Sequence, residues 1–329
     1  MNFEGSEVGP FFLTFILLLS FPAMAQEGGK LKKIRIGTTT LSMSTLPIIV
    51  GRKQGFYVSE GLNIELIVMG PSVAMQGLIA GDLNFVTTLS SSTRAAISGM
   101  PVRNVMIFTT GSDQTLVVKP QIRKIEDLRG KVLGVPQLKG PADIYTRAAL
   151  RRHGLIPDSD VSIVVLGGGT PLRLAALQAG KIDGTMLSMP QNKMAVKMGL
   201  RELVHAKDVV GSLPNGFGTN LRTLQNDPDS VMRTIRATLR GIHFIKENKE
   251  RVLKIMATDL GINDSDVANL VYDDAAKLYS DSGIPSEGSI IDEIAIIKEI
   301  LGTKREIAVA QVADWSFARE VLRGIKGSQ

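Results

Sequence analysis

Hydroxyl groups dominate the stretches of this chain that could do chemistry. Residues 38–44 read Thr-Thr-Thr-Leu-Ser-Met-Ser and residues 88–93 read Thr-Leu-Ser-Ser-Ser-Thr. Each run follows a short apolar segment, at the carboxyl end of what reads as a strand. Hydroxyls and free backbone N–H groups near a helix N-terminus bind carboxylate, sulfonate or phosphate oxygens, so the chemistry on offer is capture of an anion. The same residue types also cap helices, and one of Ser90, Ser91 and Ser92 is expected to do only that. Catalysis finds less support. The three histidines, His153, His205 and His243, fall at a helix end, a strand end and within an amphipathic helix, with no H-E-x-x-H or G-x-S-x-G pattern beside them. Gly167-Gly168-Gly169 lacks the Lys-Ser/Thr ending of a phosphate loop and reads as a turn. The four tyrosines are dispersed, and the absence of cysteine excludes thiolate chemistry and disulfides. No catalytic residue, metal or cofactor is expected.

These loops need a scaffold, and the chain spells its scaffold out twice. Met75 to Asn84 reads as an apolar helix end, a Gly81 stop and the start of a strand; Leu174 to Asp183 repeats that pattern around Gly180, ninety-nine residues later. At the same offset residues 33–37 lie over 132–136, and residues 62–68 over 161–167. Two α/β lobes with a cleft between them follow, and such a cleft is where small ligands are preferentially held. In the first lobe, strands are expected at 34–37, 62–68, 83–87, 105–109 and 115–119. Pro47 fits the first turn of a helix capped by Ser44 or Thr45; residues 73–80 form another helix and Arg94 begins a third. In the second, strands are expected at 132–135, 161–166 and 182–187. Strands alternating with helices indicate a mostly parallel sheet whose ligand crevice lies beyond the strand carboxyl ends. The lobe boundary is placed at Lys119-Pro120, giving 26–119 with 215–329 as lobe 1 and 120–214 as lobe 2. Residues 215–220 read as a flexible polar return, so the chain crosses twice and makes a hinge. From Asp227 the period becomes 3.6, with Val231, Ile235, Leu239 and Ile242 on one face, and similar stripes at Val267, Leu270, Val271, Leu278 and at Ile290, Ile294, Ile297, Leu301. Trp315 reads as core, near Phe317 and Val321.

At 329 residues with 44% hydrophobic and 21% charged content, the chain can bury two ordinary cores. The first 25 residues stand apart. Residues 11–19 are almost purely apolar and Ala23-Met24-Ala25 offers the small-x-small site of signal peptidase, so a signal peptide cleaved after Ala25 is expected. Its n-region departs from the usual pattern, with Glu4 and Glu7 and no basic residue. The apolar run is shorter than a membrane span. Without cysteine there is no lipid anchor, which favours a Gram-negative periplasm. The formal charge of +6 comes from bases scattered among acids without interleaved aromatics, so nucleic acid is not expected as a partner.

The run Thr45 to Leu66, with Pro47, Gly55-Phe56-Tyr57 and Glu60-Gly61-Leu62, resembles the nitrate/sulfonate/taurine-type periplasmic binding proteins of ABC importers, a group that includes relatives of thiamine-pyrimidine synthases. Further matches are Leu78-Ile79-Ala80-Gly81-Asp82, Ile125 to Lys131, Gly167 to Gly169, Leu187 to Pro190 and Asn226-Asp227-Pro228. The resemblance covers residues 33 to 255. It implies a type II periplasmic-binding-protein fold, two lobes closing over one ligand and delivery to an inner-membrane permease by a monomer. Phe56, Tyr57 and Glu60 read as scaffold. The resemblance places ligands against Thr38, Thr39, Thr40, Ser42 and Met43; against Thr88, Leu89, Ser90 and Ser91; against the second-lobe helix start with Lys139, Gly140 and Asp143; and against Ser188 and Met189. An anion is favoured, with Lys139 adding a charge-assisted bond. Asp143 could instead pair with Lys139 or receive an amine, which would make the ligand zwitterionic or cationic. Few aromatics lie in these loops, so a small aliphatic or simple aromatic acid is expected. The synthase activity uses cysteines that this chain lacks. A ligand sensor docking on a membrane kinase, or a pyrimidine-precursor binder, are the alternatives to import.

Overall fold

Among the described residues, ten strands build two separate five-stranded sheets of matching design. The computed structural model describes Met1 and residues 30–167, 169–209 and 214–326, and residues from Leu31 onward form one compact unit. The expected signal peptide with its cleavage site, and Gly168, lie outside the described residues. In chain order the strands are β1 (Lys32–Thr38), β2 (Leu62–Val68), β3 (Phe85–Val86), β4 (Val102–Ile107), β5 (Thr115–Val118), β6 (Val132–Val135), β7 (Ser162–Val165), β8 (Gly184–Leu187), β9 (Arg201–His205) and β10 (Gly216–Asn220). The first sheet has the order β2-β1-β3-β10-β4 and the second β7-β6-β8-β5-β9. In each, four strands run in one direction and a fifth is inserted antiparallel to both its neighbours. The repeat read from the sequence is thus a repeat of sheet order, and its helix stops agree: Gly81 and Gly180 have φ of +89° and +72°, conformations that suit glycine.

The chain enters each sheet's antiparallel strand from the other lobe, and here two sequence expectations need correction. Thr115–Val118 belongs to the second sheet, between β8 and β9, so the first crossing lies between β4 and β5 and not at Lys119-Pro120. A run buried at every position carries no alternation to say which sheet receives it. Residues 216–220 are not a flexible return but β10, fully buried between β3 and β4. Its glycines serve close approach: a Cβ on Gly216 would meet the Met106 carbonyl oxygen at 1.9 Å. The third strand is also shorter than expected, and the helix after it runs Leu89–Ile97, starting ahead of Arg94. Serine and threonine disfavour helix interiors by bonding the backbone elsewhere, yet Ser92 and Thr93 are fully buried here.

The C-terminal helices cover the first sheet. The Pro228–Glu247 helix buries Val231, Ile235, Leu239 and Ile242 completely against Ile48, Val50 and Phe217. Tyr57 and Thr238 hydroxyls share a hydrogen bond of 2.7 Å. The Glu287–Leu301 helix buries Ile290, Ile294 and Ile297 beside Trp315, whereas Leu270 and Leu301 of the expected stripes are exposed. The second lobe has its own core, around Leu116, Leu133, Tyr145, Leu150 and Met186. Among the described residues no helix is long and apolar enough to cross a membrane.

Candidate functional site

A cavity of about 580 Å³ lies between the carboxyl ends of the two sheets. From the first lobe it takes Thr39, Thr40, Ser42 and Ser44 after β1, Val68 to Pro71 after β2, and Thr88, Ser90 and Ser91 after β3. From the second it takes Pro136 and Gln137 after β6, Pro141, Ala142 and Tyr145, then Gly169, Thr170 and Arg173 after β7, and Ser188 after β8. Both crossings contribute, through Ser112, Asp113 and Gln114 and through Pro214 and Asn215.

Four helices begin at this cavity: Pro71–Ala80, Leu89–Ile97, Pro141–Arg152 and Thr170–Gln178. Their N-cap residues, Gly70, Thr88, Gly140 and Gly169, make no side-chain capping bond. The first backbone N–H groups of a helix have no partner within it, and the helix dipole adds partial positive charge there. The Pro71–Ala80 and Thr170–Gln178 helices occupy equivalent positions of the repeat, one from each lobe. The cleft is therefore flanked on both sides by helix N-termini.

Arg173 supplies full charge. It stands in the first turn of its helix, only 5% exposed, with Nη2 donating to Thr170 Oγ1 at 3.4 Å. Burial lowers its pKa from the ordinary arginine value. Asp113 supplies the opposite sign: Met189 N–H donates to its Oδ2 at 3.2 Å. Burial pushes its carboxyl up to about 6, with the Met189 N–H and the Ser188 hydroxyl working against that rise.

The structure brings Thr39, Thr40, Ser42, Thr88, Ser90, Ser91 and Ser188 of the expected contact set to the cavity wall and places the others elsewhere. Thr38 is buried and structural, accepting from Thr87 Oγ1 at 2.9 Å and donating to the Thr40 carbonyl at 3.1 Å. Met43, Leu89 and Met189 are core residues. A Cβ on Gly140 would strike the Gln137 side chain, so that glycine shapes the helix entry. Lys139 lines a separate crevice of about 360 Å³ against Ile296 and Glu299. Asp143, buried there too, accepts from the Lys139 N–H and from Arg147 Nε, both at 2.7 Å. It pairs with Arg147 and the Lys139 backbone rather than with the Lys139 ammonium.

Sequence reasoning missed Asp113, Gln114, Tyr145 and Arg173. The repeat held a signal for Arg173, because residues 170–173 sit ninety-nine positions after 71–74 and share their place at a helix start. Asp113 and Gln114 become legible only once β5 is assigned to the second sheet.

The family model described as NMT1/THI5 like matches residues 42–252. The riboflavin-binding protein RibY of Chloroflexus aurantiacus is 25% identical over 218 residues, which is 62% of this chain. The match spans only 61% of that relative's length. The periplasmic aliphatic sulphonate binding protein SsuA from Escherichia coli superposes with a TM-score of 0.71 at 14% identity, covering 86% of this chain and 92% of that one. The desulfurization enzyme DSZB shares the fold as well, with a TM-score of 0.69 at 13% identity over 89% of this chain and 99% of that one. Fold alone therefore does not separate binding from catalysis. The two sheets with their inserted antiparallel strands are a periplasmic-binding-protein fold, and with the model match spanning well over half of its length, the chain belongs to the NMT1/THI5-like family.

Proposed function

We propose that the chain is the periplasmic solute-binding component of an ABC importer, and that it holds a small organic anion, a carboxylate or sulfonate, between its lobes. One observation carries this reading: uncapped helix N-termini from both lobes and the buried Arg173 guanidinium converge on a single cavity. Such donors stabilise a charge that the ligand already has. They suit capture more than turnover, since no general acid or base is needed to hold an anion. The E. coli protein that shares this fold binds an aliphatic sulphonate, in keeping with this ligand class. The apolar lining from Val68, Met69, Pro136 and Tyr145 suits an acid with a hydrocarbon body.

Lobe motion belongs to the same reading. One lobe comprises the first sheet with the C-terminal helices, the other residues 115–205, and the two crossings between them act as the hinge. Ligand then shifts the population toward a closed form. The protein works as a monomer in the periplasm after loss of residues 1–25.

Thermal unfolding of residues 26–329 with a panel of carboxylates, sulfonates and nitrate tests the proposal. A ligand at about a hundred times its Kd adds roughly 2.7 kcal/mol, which raises Tm by about 4 °C in a chain of this size. A folded protein whose Tm stays unmoved by every acid at millimolar concentration would refute it.

A further inference from the structure

Charge divides unequally between the lobes. Residues 115–205 hold fourteen Lys and Arg against seven Asp and Glu, while the rest of the chain holds twenty-four against twenty-five, so the net charge of +6 belongs to the second lobe. Much of it sits at one pole. Lys131, Lys181 and Arg201 stand where β6, β8 and β9 begin, at the end of the sheet that faces away from the cleft. Arg123 and Lys124 lie in the connection from β5 to β6, and Arg152 closes the Pro141–Arg152 helix. The His153–Glu126 contact of 3.3 Å joins that helix end to that connection. The acids nearby are occupied: Asp183 pairs with Lys119 at 2.7 Å, Asp160 pairs with Arg129, and Asp127 accepts from the backbone N–H groups of Arg123 and Lys124. None of the six bases forms an ion pair among the described residues. The first lobe repeats this architecture ninety-nine residues earlier with its charge cancelled. Lys32, the counterpart of Lys131, pairs with Asp227 at 2.6 Å; Lys53, the counterpart of Arg152, pairs with Asp259 at 3.1 Å; and the counterpart of Lys181 is Asp82. The fold therefore does not require a bare basic pole.

We propose that this pole of the second lobe docks on an anionic phospholipid surface. Two apolar side chains accompany the bases: Ile156, in the loop after the Pro141–Arg152 helix, is 63% exposed, and Met198, just ahead of β9, is 52% exposed. The Ile156 N–H donates to Asp160 Oδ2 at 2.8 Å, which holds this tip beside Arg129. Apolar tips among bases suit a bilayer interface, where headgroup phosphates meet the charge and the acyl boundary takes the side chain. The segments that build the pole, residues 119–131, 151–161, 178–184 and 197–202, contain no Phe, Tyr or Trp, so nucleobases would find nothing to stack on. Bases spread over separate segments match a field of mobile phosphates better than one phosphate in a pocket. The pole lies opposite the cavity, so a protein seated this way keeps its cleft open to solution. Membrane docking is thus independent of which ligand the cleft holds.

Sedimentation of residues 26–329 with lipid vesicles tests this. Vesicles of phosphatidylcholine alone would be compared with vesicles carrying about a third phosphatidylglycerol, at about 20 mM and about 500 mM salt. Binding should appear on the anionic vesicles at low salt, fall by about tenfold or more at high salt as the charges are screened, and be absent on phosphatidylcholine. Lys124→Ser with Lys181→Ser should weaken it about 30-fold, since each base near such a surface contributes about a fivefold gain. The same charge removed from the first lobe, by Lys254→Ser with Arg319→Ser, should change it by no more than about twofold, because those bases lie away from the pole. Equal binding to both kinds of vesicle, no binding to the anionic one at low salt, or equal losses from the two pairs would overturn the inference. Displacement by millimolar inorganic phosphate at constant ionic strength would mean a discrete phosphate site and would overturn it as well. The vesicle comparison and the phosphate arm need only the unaltered protein, so the test survives a variant that does not fold.

Discussion

A methyl group on Gly216 would lie 1.9 Å from the Met106 carbonyl oxygen and 2.7 Å from the Ile107 Cα. β10 passes β4 too closely for any side chain at that point, and the chain returns from the second lobe along this contact. Gly216→Ala should therefore destabilise by about 3 kcal/mol, as overpacking against fixed backbone does, read as a lower midpoint in urea with an unchanged slope. A loss below about 0.5 kcal/mol would mean that β10 is held loosely and that residues 215–220 are the flexible return their sequence suggested.

Glu293 gives stability a pH dependence of known sign. Its carboxyl is fully buried, accepts from Thr93 Oγ1 at 2.8 Å and is pushed up to about 7 by burial. Asn104 Nδ2 donates to the same Thr93 oxygen at 2.8 Å, and no charged side chain bonds to this cluster among the described residues. The folded protein holds the Glu293 proton more tightly than the unfolded chain does. Its contribution is full below the unfolded value of 4.5, falls as pH rises from there to about 7, and stays low above that. Glu293→Gln should remove this slope. At pH 8 the variant should exceed the unaltered protein by up to roughly 3 kcal/mol, and at pH 4 the two should converge. Parallel stability curves for the two proteins would contradict the assignment.

Arg173 should dominate affinity for the acid. Arg173→Gln keeps a polar, hydrogen-bonding side chain but shortens it and removes the charge, and should weaken binding of any acid found in the screen by about 10- to 100-fold. Lys139→Ala should leave affinity within about twofold, because Lys139 faces the crevice beside Glu299. Titration calorimetry of the two variants checks both statements. A larger loss at Lys139 than at Arg173 would relocate the site.

Much of this architecture was written locally in the sequence. The 3.6-residue period from Val231 to Ile242, the Pro47 helix start and the Gly81 and Gly180 stops each depend on neighbours within a few positions, and all are as expected. What failed depended on distant partners. Leu116-Val117-Val118 reads as a strand, but pairing with β8 and β9 decides its lobe. Gly216 and Gly218 read as flexibility until Met106 and Ser92 are known to lie against them. The site divides the same way. Hydroxyls at strand ends, Ser42, Ser90 and Ser188 among them, reach the cavity because sheet topology fixes which loops converge. The resemblance placed Lys139 and Asp143 at the second-lobe helix start, but position at a helix start does not say which face of the helix a side chain takes. Asp143 points back to Arg147 one turn on.

Amide hydrogen exchange of residues 26–329, measured with and without a bound acid, tests the central claim of capture between the lobes most directly. Slower exchange is predicted together at the starts of the Leu89–Ile97 and Thr170–Gln178 helices, in the loop at 39–44, and at Ser188 and Met189, with no change in the crevice around Lys139. Slowing confined to one lobe, or centred on residues 147–151 and 296–300, would contradict an interlobe site.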